Sequence, residues 1–326
     1  MLTVRVWSER WPIRGVFRIS RGARTESEVV VVEISDNALA GRGECLPYAR
    51  YDESVEGVMQ TIEDVADSVA PGLDREALLR DLSPSAARNA LDCALWDLEA
   101  KRTGTPVWQL AGLAEPRPMT TAYTISLGEP DEMATAASAE AYRPLLKLKL
   151  TGDGDLARVR AVHEAAPNAT LIVDANEAWT PEIFTALSPQ LGELGVQMIE
   201  QPLPAGRDDV LRDVDHPIAV CADESCHTSD DVARVQGRYD LVNVKLDKTG
   251  GLTEALRLVR AAHDAGLGIM VGCMVGTSLG IAPATLLGST ARFIDLDAPL
   301  LLAKDREHAI QFDGSVLYPP KRELWG

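Results

Sequence analysis

Three carboxylates end three short apolar segments in the second half of the chain: Asp174, Glu200 and Asp223. One such residue alone would suit a helix N-cap or a solvated loop. Three that meet at one place would repel one another unless a cation lies between them. Oxygen-only ligands suit Mg²⁺, which keeps some positions for water or substrate oxygens. We therefore predict a Mg²⁺ site with these three carboxylates as its protein ligands.

Three lysines accompany the carboxylates. Lys147 and Lys149 are two residues apart, so on a strand their side chains point to the same face. Lys245 lies on a later apolar segment. A single lysine could reach solvent at the edge of a fold, but three in this setting are hard to explain in that way. We predict that Lys149 and Lys245 are catalytic bases on opposite sides of a substrate, supported by Lys147.

These groups suit the removal and return of a proton next to a carboxylate. A substrate carboxylate on Mg²⁺ can take up the charge of its α-carbon as an enediolate, which the metal stabilises as a Lewis acid. One lysine on each face then gives 1,1-proton transfer with inversion. A free lysine titrates at about 10.4, whereas an effective base lies near about 7–8. We expect Mg²⁺, the like charge of Lys147 and desolvation to lower the lysine pKa.

The segments that carry these residues alternate with helical stretches from Pro118 onward. Such alternation predicts parallel βαβ units, and eight strands predict an α/β fold with a TIM-like (β/α)7β barrel. The carboxyl ends of barrel strands converge on one mouth, where the polar residues would meet. The predicted strands are Thr120–Leu127, Leu145–Leu150, Thr170–Val173, Val196–Ile199, Ile218–Cys221, Leu241–Leu246, Leu267–Val271 and Arg292–Ile294.

The N-terminal part of the chain has a different pattern. Val29–Ile34 predicts a strand, and residues 54–70 and 85–101 predict helices. This mixture is typical of an α+β domain. The predicted division is an α+β capping domain at 1–117, the barrel at 118–302 and a C-terminal tail at 303–326 that completes the capping domain.

Composition excludes several classes of protein. Of the 326 residues, 46% are hydrophobic and 25% are charged, as in ordinary globular proteins. The net charge of −17 disfavours nucleic acid and anionic membranes as partners. The uncharged stretch between Asp264 and Arg292 is long enough to span a bilayer. Its glycines and hydroxyl residues instead predict a strand, a glycine-rich loop and a buried helix.

The cysteines and the first residues bear on location. Five cysteines without CxxC spacing argue against a disulfide framework or structural zinc. Residues 1–11 carry charges and lack the apolar region of a signal peptide. We expect a cytoplasmic protein. A homo-oligomer is compatible with the sequence.

Taken together, these residues resemble the enolase superfamily and, within it, the muconate-lactonizing subgroup. Lys147 and Lys149 match the KxK motif of the family, and Lys245 matches its opposing lysine. The carboxylates predicted to bind Mg²⁺ match its metal ligands. The segment Ala90–Leu98 resembles the capping-domain helix. The resemblance covers nearly the whole chain and implies a Mg²⁺-dependent isomerase.

A finer resemblance concerns the substrate. Asp295-Leu296-Asp297 resembles the DxD signature of dipeptide epimerases, in which a carboxylate binds the substrate α-ammonium. Arg21–Thr25 resembles the flexible capping loop of Ala-Glu epimerases, whose arginine, matched here by Arg24, pairs with the glutamate carboxylate. The resemblance implies epimerisation of L-Ala-D-Glu to L-Ala-L-Glu and a role in peptidoglycan-peptide recycling. The expected substrate-binding residues are Arg24, Thr124, Lys147, Asp295, Asp297, Cys273 and Met274.

Other functions stay open. An N-acylamino acid racemase, an o-succinylbenzoate synthase or a muconate cycloisomerase would share the lysines and the metal site. None of them needs two aspartates for a free ammonium group. A non-catalytic binding protein on a barrel is a further alternative, although it would tolerate the loss of a lysine or a metal ligand, and none is missing here.

Overall fold

The computed structural model describes residues 2–36, 39–69 and 74–326, with only the backbone at 67–69. The N-terminal part opens with an antiparallel sheet in the order β1–β2–β3. Val29 and Val31 of the central strand face one hydrophobic cluster, while Val30 and Val32 face another. The valine run is continuous because both faces of this strand are buried. The strands are β1 Thr3–Ile19, β2 Gly22–Asp36 and β3 Leu39–Cys45.

Helices cover one face of this sheet, as the sequence predicts. The longest begins at Ser85, whose side chain accepts a hydrogen bond from the backbone N–H of Arg88, and ends at Gly104 in the left-handed conformation. The predicted end of the first helix at residue 70 lies outside the described residues. The helices are α1 Val55–Val69, α2 Arg75–Asp81, α3 Ala86–Thr103 and α4 Val107–Leu110.

The sheet approaches α3 closely at Gly41 of β3. A Cβ atom added there would overlap the carbonyl oxygen of Ala94 and the backbone nitrogen of Leu98. We expect Gly41→Ala to lower the free energy of unfolding by about 1–3 kcal/mol, because a packed backbone cannot move aside. Urea unfolding checks this. Gly192→Ala is the matched control, since its new Cβ makes only ordinary contacts; equal stability of the two variants would contradict the prediction.

The central part of the chain forms the predicted barrel. Eight parallel strands are neighbours in sequence order. The first and last strands meet where the Ala122 N–H donates to the Ile294 carbonyl over 2.7 Å. After β4 Met119–Thr120, the barrel strands are β5 Tyr123–Ile125, β6 Leu145–Lys149, β7 Thr170–Asp174, β8 Val196–Glu200, β9 Ala219–Ala222, β10 Leu241–Val244, β11 Gly268–Gly272 and β12 Phe293–Asp295.

Helices of unequal length connect these strands. Several connections are short because 3₁₀ turns replace part of a helix, at residues 209–212, 229–231 and 283–290; another such turn, at 49–51, lies in the N-terminal part. The α-helices are α5 Pro130–Ala139, α6 Asp155–Ala165, α7 Pro181–Glu193, α8 Val232–Val235, α9 Leu246–Thr249, α10 Leu252–Asp264, α11 Ser278–Ile281 and α12 Ala298–Leu301.

The first predicted barrel strand, Thr120–Leu127, is wrong in its extent. Its beginning belongs to β4, which pairs with the C-terminal tail, and only Tyr123–Ile125 pairs in the barrel. The chain changes partners between them, since the Thr121 N–H donates to the Ser315 carbonyl and the next N–H donates into the barrel.

The C-terminal tail contacts both parts of the molecule. Its hairpin, β13 Phe312–Asp313 and β14 Val316–Leu317, pairs with β4. The Trp325 indole N–H donates to the Cys93 carbonyl of α3 over 3.0 Å. The predicted boundaries at residues 117 and 302 stay a prediction.

The uncharged stretch forms β11, a loop, α11 and the 3₁₀ turn Pro283–Thr290. The strand and loop agree with the prediction, whereas the expected buried helix is two short pieces. Among the residues that the structure describes, no helix is long and apolar enough to cross a membrane.

Candidate active site

The carboxylates predicted as metal ligands are buried at the carboxyl ends of consecutive barrel strands. Asp174 ends β7, Glu200 ends β8 and Asp223 follows β9. Asn243 of β10 donates from Nδ2 to Glu200 Oε1 over 2.7 Å. The three carboxylates share the barrel mouth because each occupies the last position of a parallel strand or the one after it.

Lys147 is the centre of the ionic contacts beneath the mouth. Its Nζ lies 2.6 Å from Glu200 Oε2, 2.7 Å from Asp295 Oδ2 and 3.4 Å from Asp174 Oδ2. The side chain is 1% exposed, so these carboxylates replace water as its partners. Lys147 therefore offsets negative charge inside the barrel.

Lys149 and Lys245 occupy opposite sides of the mouth. Lys149 ends β6 and contacts Asp174 Oδ2 at 2.7 Å, while Lys245 follows β10 and contacts Asp223 Oδ2 at 2.6 Å. Three strands, β7 to β9, lie between β6 and β10 in the barrel order. The two amines therefore face the barrel mouth from different walls, as the sequence predicts.

The pKa of Lys245 differs from the expectation. Burial works to lower the pKa of Lys245, but the charges of Asp223 and Glu200 outweigh it and hold this pKa well above its ordinary value. For Lys147, the carboxylates of Asp295, Glu200 and Asp174 likewise overcome burial and raise the pKa. A lowered lysine pKa requires that these carboxylate charges be neutralised.

The oxygen atoms at the mouth fit a hard divalent cation. Asn243 Oδ1 and Asp295 Oδ1 are buried and accept no hydrogen bond from the described residues, while Glu200 Oε2 and Asp223 Oδ1 contact the ammonium groups of Lys147 and Lys248. Such oxygens suit Mg²⁺. Within residues 2–36, 39–69 and 74–326, no three acidic, histidine or cysteine side chains are already gathered as a metal cluster. The Lys147 ammonium group lies among the carboxylates instead, so metal binding requires these side chains to shift.

A cavity of about 420 Å³ lies above this charged floor, beneath the β1–β2 hairpin. Of the predicted site residues, its lining contains Arg24, Lys149, Asp223, Lys245, Cys273 and Met274. The others do not line it. They lie buried below or beside it: Thr124, Lys147, Asp174, Glu200, Asp295 and Asp297.

The two aspartates at the end of β12 have different surroundings. Asp295 pairs with Lys147. Asp297 Oδ2 accepts the Thr124 N–H over 2.6 Å and has no ion pair within the described part of the chain. Burial and the charge of Asp295 raise the pKa of Asp297 to about 7. The Thr124 backbone N–H thus holds Asp297, while contact of Thr124 with the substrate stays a prediction.

Three arginines line the cavity, and two of them are neutralised. Arg21 pairs with Glu224, and Arg50 pairs with Glu177 at 2.8 Å. Arg24 forms no ion pair with any described residue, and its guanidinium lies 5.9 Å from the Tyr48 ring centre. Arg24 is thus the arginine available to an anionic group in the cavity.

Sequence reasoning assigned no role to two buried residues here. Glu224 follows Asp223, and burial and that neighbour raise its pKa to about 8 although Arg21 opposes the rise. Its position at a strand end was the available signal. Lys248 contacts Asp223 Oδ1 at 2.8 Å and donates to the Cys226 and Asn243 carbonyls. Nothing in its local sequence indicated this burial.

Comparison with known proteins agrees with this geometry. Residues 1–112 match the N-terminal domain model of mandelate racemase/muconate lactonizing enzyme, and residues 131–317 match the enolase C-terminal domain-like model. The L-Ala-D/L-Glu epimerase of Escherichia coli K12 is 48% identical, covering 98% of this chain and 100% of that protein. The N-acetyl-D-glutamate racemase of a Pseudoalteromonas species is 44% identical, covering 91% and 95%.

Solved structures similar to this chain belong to the same group of proteins. An enolase family member from Agrobacterium tumefaciens, described as homologous to dipeptide epimerases and solved with sodium, L-Ala-L-Glu and an ordered loop, is 50% identical. It covers 100% of both chains with a TM-score of 0.98. Other dipeptide epimerases have been solved with Mg and a dipeptide. The chain therefore belongs to the mandelate racemase/muconate lactonizing enzyme family of the enolase superfamily.

Proposed function

We propose that this protein is a Mg²⁺-dependent dipeptide epimerase that interconverts L-Ala-D-Glu and L-Ala-L-Glu. The observation that carries the proposal is the placement of Lys149 and Lys245 on different walls of one cavity, each beside a buried carboxylate. The 48% and 50% identical relatives support this substrate. A cytoplasmic enzyme that recycles peptidoglycan peptides fits the same proposal.

The lysines do the proton transfer. One amine takes the proton from the α-carbon of the glutamate residue, and the amine on the opposite wall returns a proton to the other face. Arg24, which pairs with no carboxylate among the described residues, holds the glutamate side-chain carboxylate. Asp297, a buried carboxylate that has no ion pair in the described part of the chain, holds the substrate ammonium. The side-chain carboxylate and the ammonium group of the dipeptide thus each have a partner of opposite sign.

Asp174, Glu200 and Asp223 would hold the metal. When bound, Mg²⁺ supplies positive charge that stabilises the negative charge developing on the substrate α-carboxylate. Asp223 and Glu200 raise the pKa of Lys245 in this structure, so neutralisation of their charges would lower that pKa. Asn243 supports this assignment, because its buried Oδ1 accepts no hydrogen bond from the described residues and its amide contacts Glu200.

Metal removal is a direct test. We expect a chelator to abolish turnover and added Mg²⁺ to restore it, because the carboxylates cannot neutralise one another. Asp174→Asn should weaken Mg²⁺ binding, measured by titration calorimetry, since it removes one charged ligand. Asp313→Asn, an exposed aspartate in β13, is the control. Full activity after exhaustive chelation and dialysis would refute the metal assignment.

One activity comparison tests the proposed substrate. We expect kcat/KM to be highest for L-Ala-L-Glu among L-Ala-L-Glu, N-acetyl-D-glutamate, the o-succinylbenzoate precursor and muconate. N-acetylglutamate racemisation is the second candidate, because a 44% identical relative has that activity. N-acetylglutamate keeps the carboxylates for Mg²⁺ and Arg24 but lacks the ammonium. Faster turnover of any compound without an ammonium would replace the epimerase proposal.

A further inference from the structure

The tip of the β1–β2 hairpin makes few contacts with the barrel. Residues 22–26 are exposed, and the pairing of the two strands shifts between Pro12 and Phe17. The Arg18 backbone N–H donates to the Ser126 hydroxyl over 3.3 Å, and its carbonyl accepts from the Leu127 N–H over 2.9 Å. The other polar contacts of this end of the hairpin with the barrel involve Ser20 and Arg21, the Val16 carbonyl, which accepts from the Ser126 hydroxyl, and the Ser27 hydroxyl, which donates to the Val275 carbonyl. The tip therefore depends on a small number of strong interactions.

Arg21 uses all three guanidinium nitrogens in this contact. Nη1 donates to the Asn176 carbonyl over 2.9 Å and to Glu177 Oε2 over 3.2 Å. Nη2 donates to Glu224 Oε1 over 2.7 Å, and Nη2 and Nε both donate to the Tyr48 hydroxyl. Its side chain is only 25% exposed. A planar fork with several donors suits arginine and not lysine.

The barrel side of this contact is an unusual turn. Asn176 and Glu177 are consecutive non-glycine residues with φ of 46° and 67°, in the left-handed region. Such a conformation is strained and persists only where surrounding contacts support it. Here the turn presents the Asn176 carbonyl and the Glu177 carboxylate to Arg21. This strained turn at the barrel mouth therefore supplies two of the acceptors that bind Arg21 of the hairpin.

The same contact reaches the carboxylates at the mouth. Asn176 donates from its backbone and side chain to Asp174, at 2.9 and 3.1 Å. Glu224 follows Asp223 directly. Arg21 therefore joins the hairpin that carries Arg24 to the segments that carry two of the proposed metal ligands.

We propose that Arg21 is a positioning residue that latches the hairpin onto the barrel through Glu224 and Glu177, and so holds Arg24 above the cavity. This rests on the proposed function, because the role of Arg24 is to bind the substrate side-chain carboxylate. Arg21 is already paired with Glu177 and Glu224, so its proposed action is through Arg24. Removal of the Arg21 side chain should weaken recognition of the substrate's glutamate side chain more than it slows proton transfer.

Specificity kinetics at saturating Mg²⁺ test the latch. We expect Arg21→Ala to raise KM for L-Ala-L-Glu about tenfold with kcat changed less than about twofold, since the closed hairpin becomes a minor state. The kcat/KM for L-Ala-L-Leu should change little, so the preference for Glu falls about tenfold. Arg21→Lys should retain part of the preference for Glu. Glu224→Gln should weaken the preference in the same way and add little to Arg21→Ala.

Trypsin cleavage of the Arg24–Thr25 bond, without substrate, gives a readout independent of activity. We expect it to accelerate about tenfold in Arg21→Ala, because cleavage follows the open population. Arg10→Ala is the control, since it removes exposed ion pairs from the same hairpin. An unchanged Glu preference together with unchanged cleavage would overturn the latch. A wild-type protein without dipeptide turnover would instead refute the proposed function, while the cleavage rates still decide the latch.

Discussion

Lys149→Ala and Lys245→Ala should each abolish net epimerisation, with losses of about 10³-fold or more, because each removes the only base on its face of the substrate. In D₂O, wild-type enzyme should place deuterium at the α-carbon of the product glutamate. Each variant should still exchange the α-proton of one stereoisomer, since its remaining amine works from one side. Proton NMR of L-Ala-L-Glu and L-Ala-D-Glu measures both effects.

Two control variants distinguish the loss of a catalytic base from the loss of a positive charge. Lys245→Arg keeps a cation beside Asp223 but offers no base, because the guanidinium stays protonated. It should therefore be as inactive as the alanine variant while folding normally by circular dichroism. Lys321→Ala, at an exposed position, should retain full activity. Epimerisation near the wild-type rate in Lys149→Ala or Lys245→Ala contradicts the two-base mechanism.

Asp297→Asn should lower kcat/KM for L-Ala-L-Glu by about 10²- to 10³-fold. A buried ammonium that loses its carboxylate partner costs about 3–5 kcal/mol, which is a loss of this size or larger in binding terms. N-acetyl-L-Ala-L-Glu, which has no ammonium, should be a poor substrate of the wild type and lose little in the variant. Steady-state kinetics with both compounds measure the difference.

The control for this experiment is again Asp313→Asn, which removes an exposed carboxylate far along the chain in β13. A general loss of stability in Asp297→Asn would lower kcat/KM for both compounds by the same factor, which is not the expected pattern. Equal losses for the free and acetylated dipeptide would remove Asp297 from ammonium recognition.

Much of the fold could be predicted because its signals are local. Each barrel strand is a short apolar run, and each run is followed by a helix or turn that returns the chain to the same edge. Because the carboxyl ends of barrel strands converge, residues distant in sequence, such as Lys149, Asp223 and Lys245, lie at one mouth. The least accurate strand was the first, where β4 and β5 pair with different partners and no local pattern marks the change.

The sequence by itself determined which chemical groups gather at the barrel mouth, since strand position and residue type are properties of the chain. Only the tertiary structure decided how those groups pair. Lys147 pairs with Glu200 and Asp295, and Arg21 pairs with Glu224. Among the described residues, neither Asp297 nor Arg24 has an ion-pair partner. These partners come from other strands and loops, so burial and charge at each site depend on contacts that neighbours in sequence do not specify.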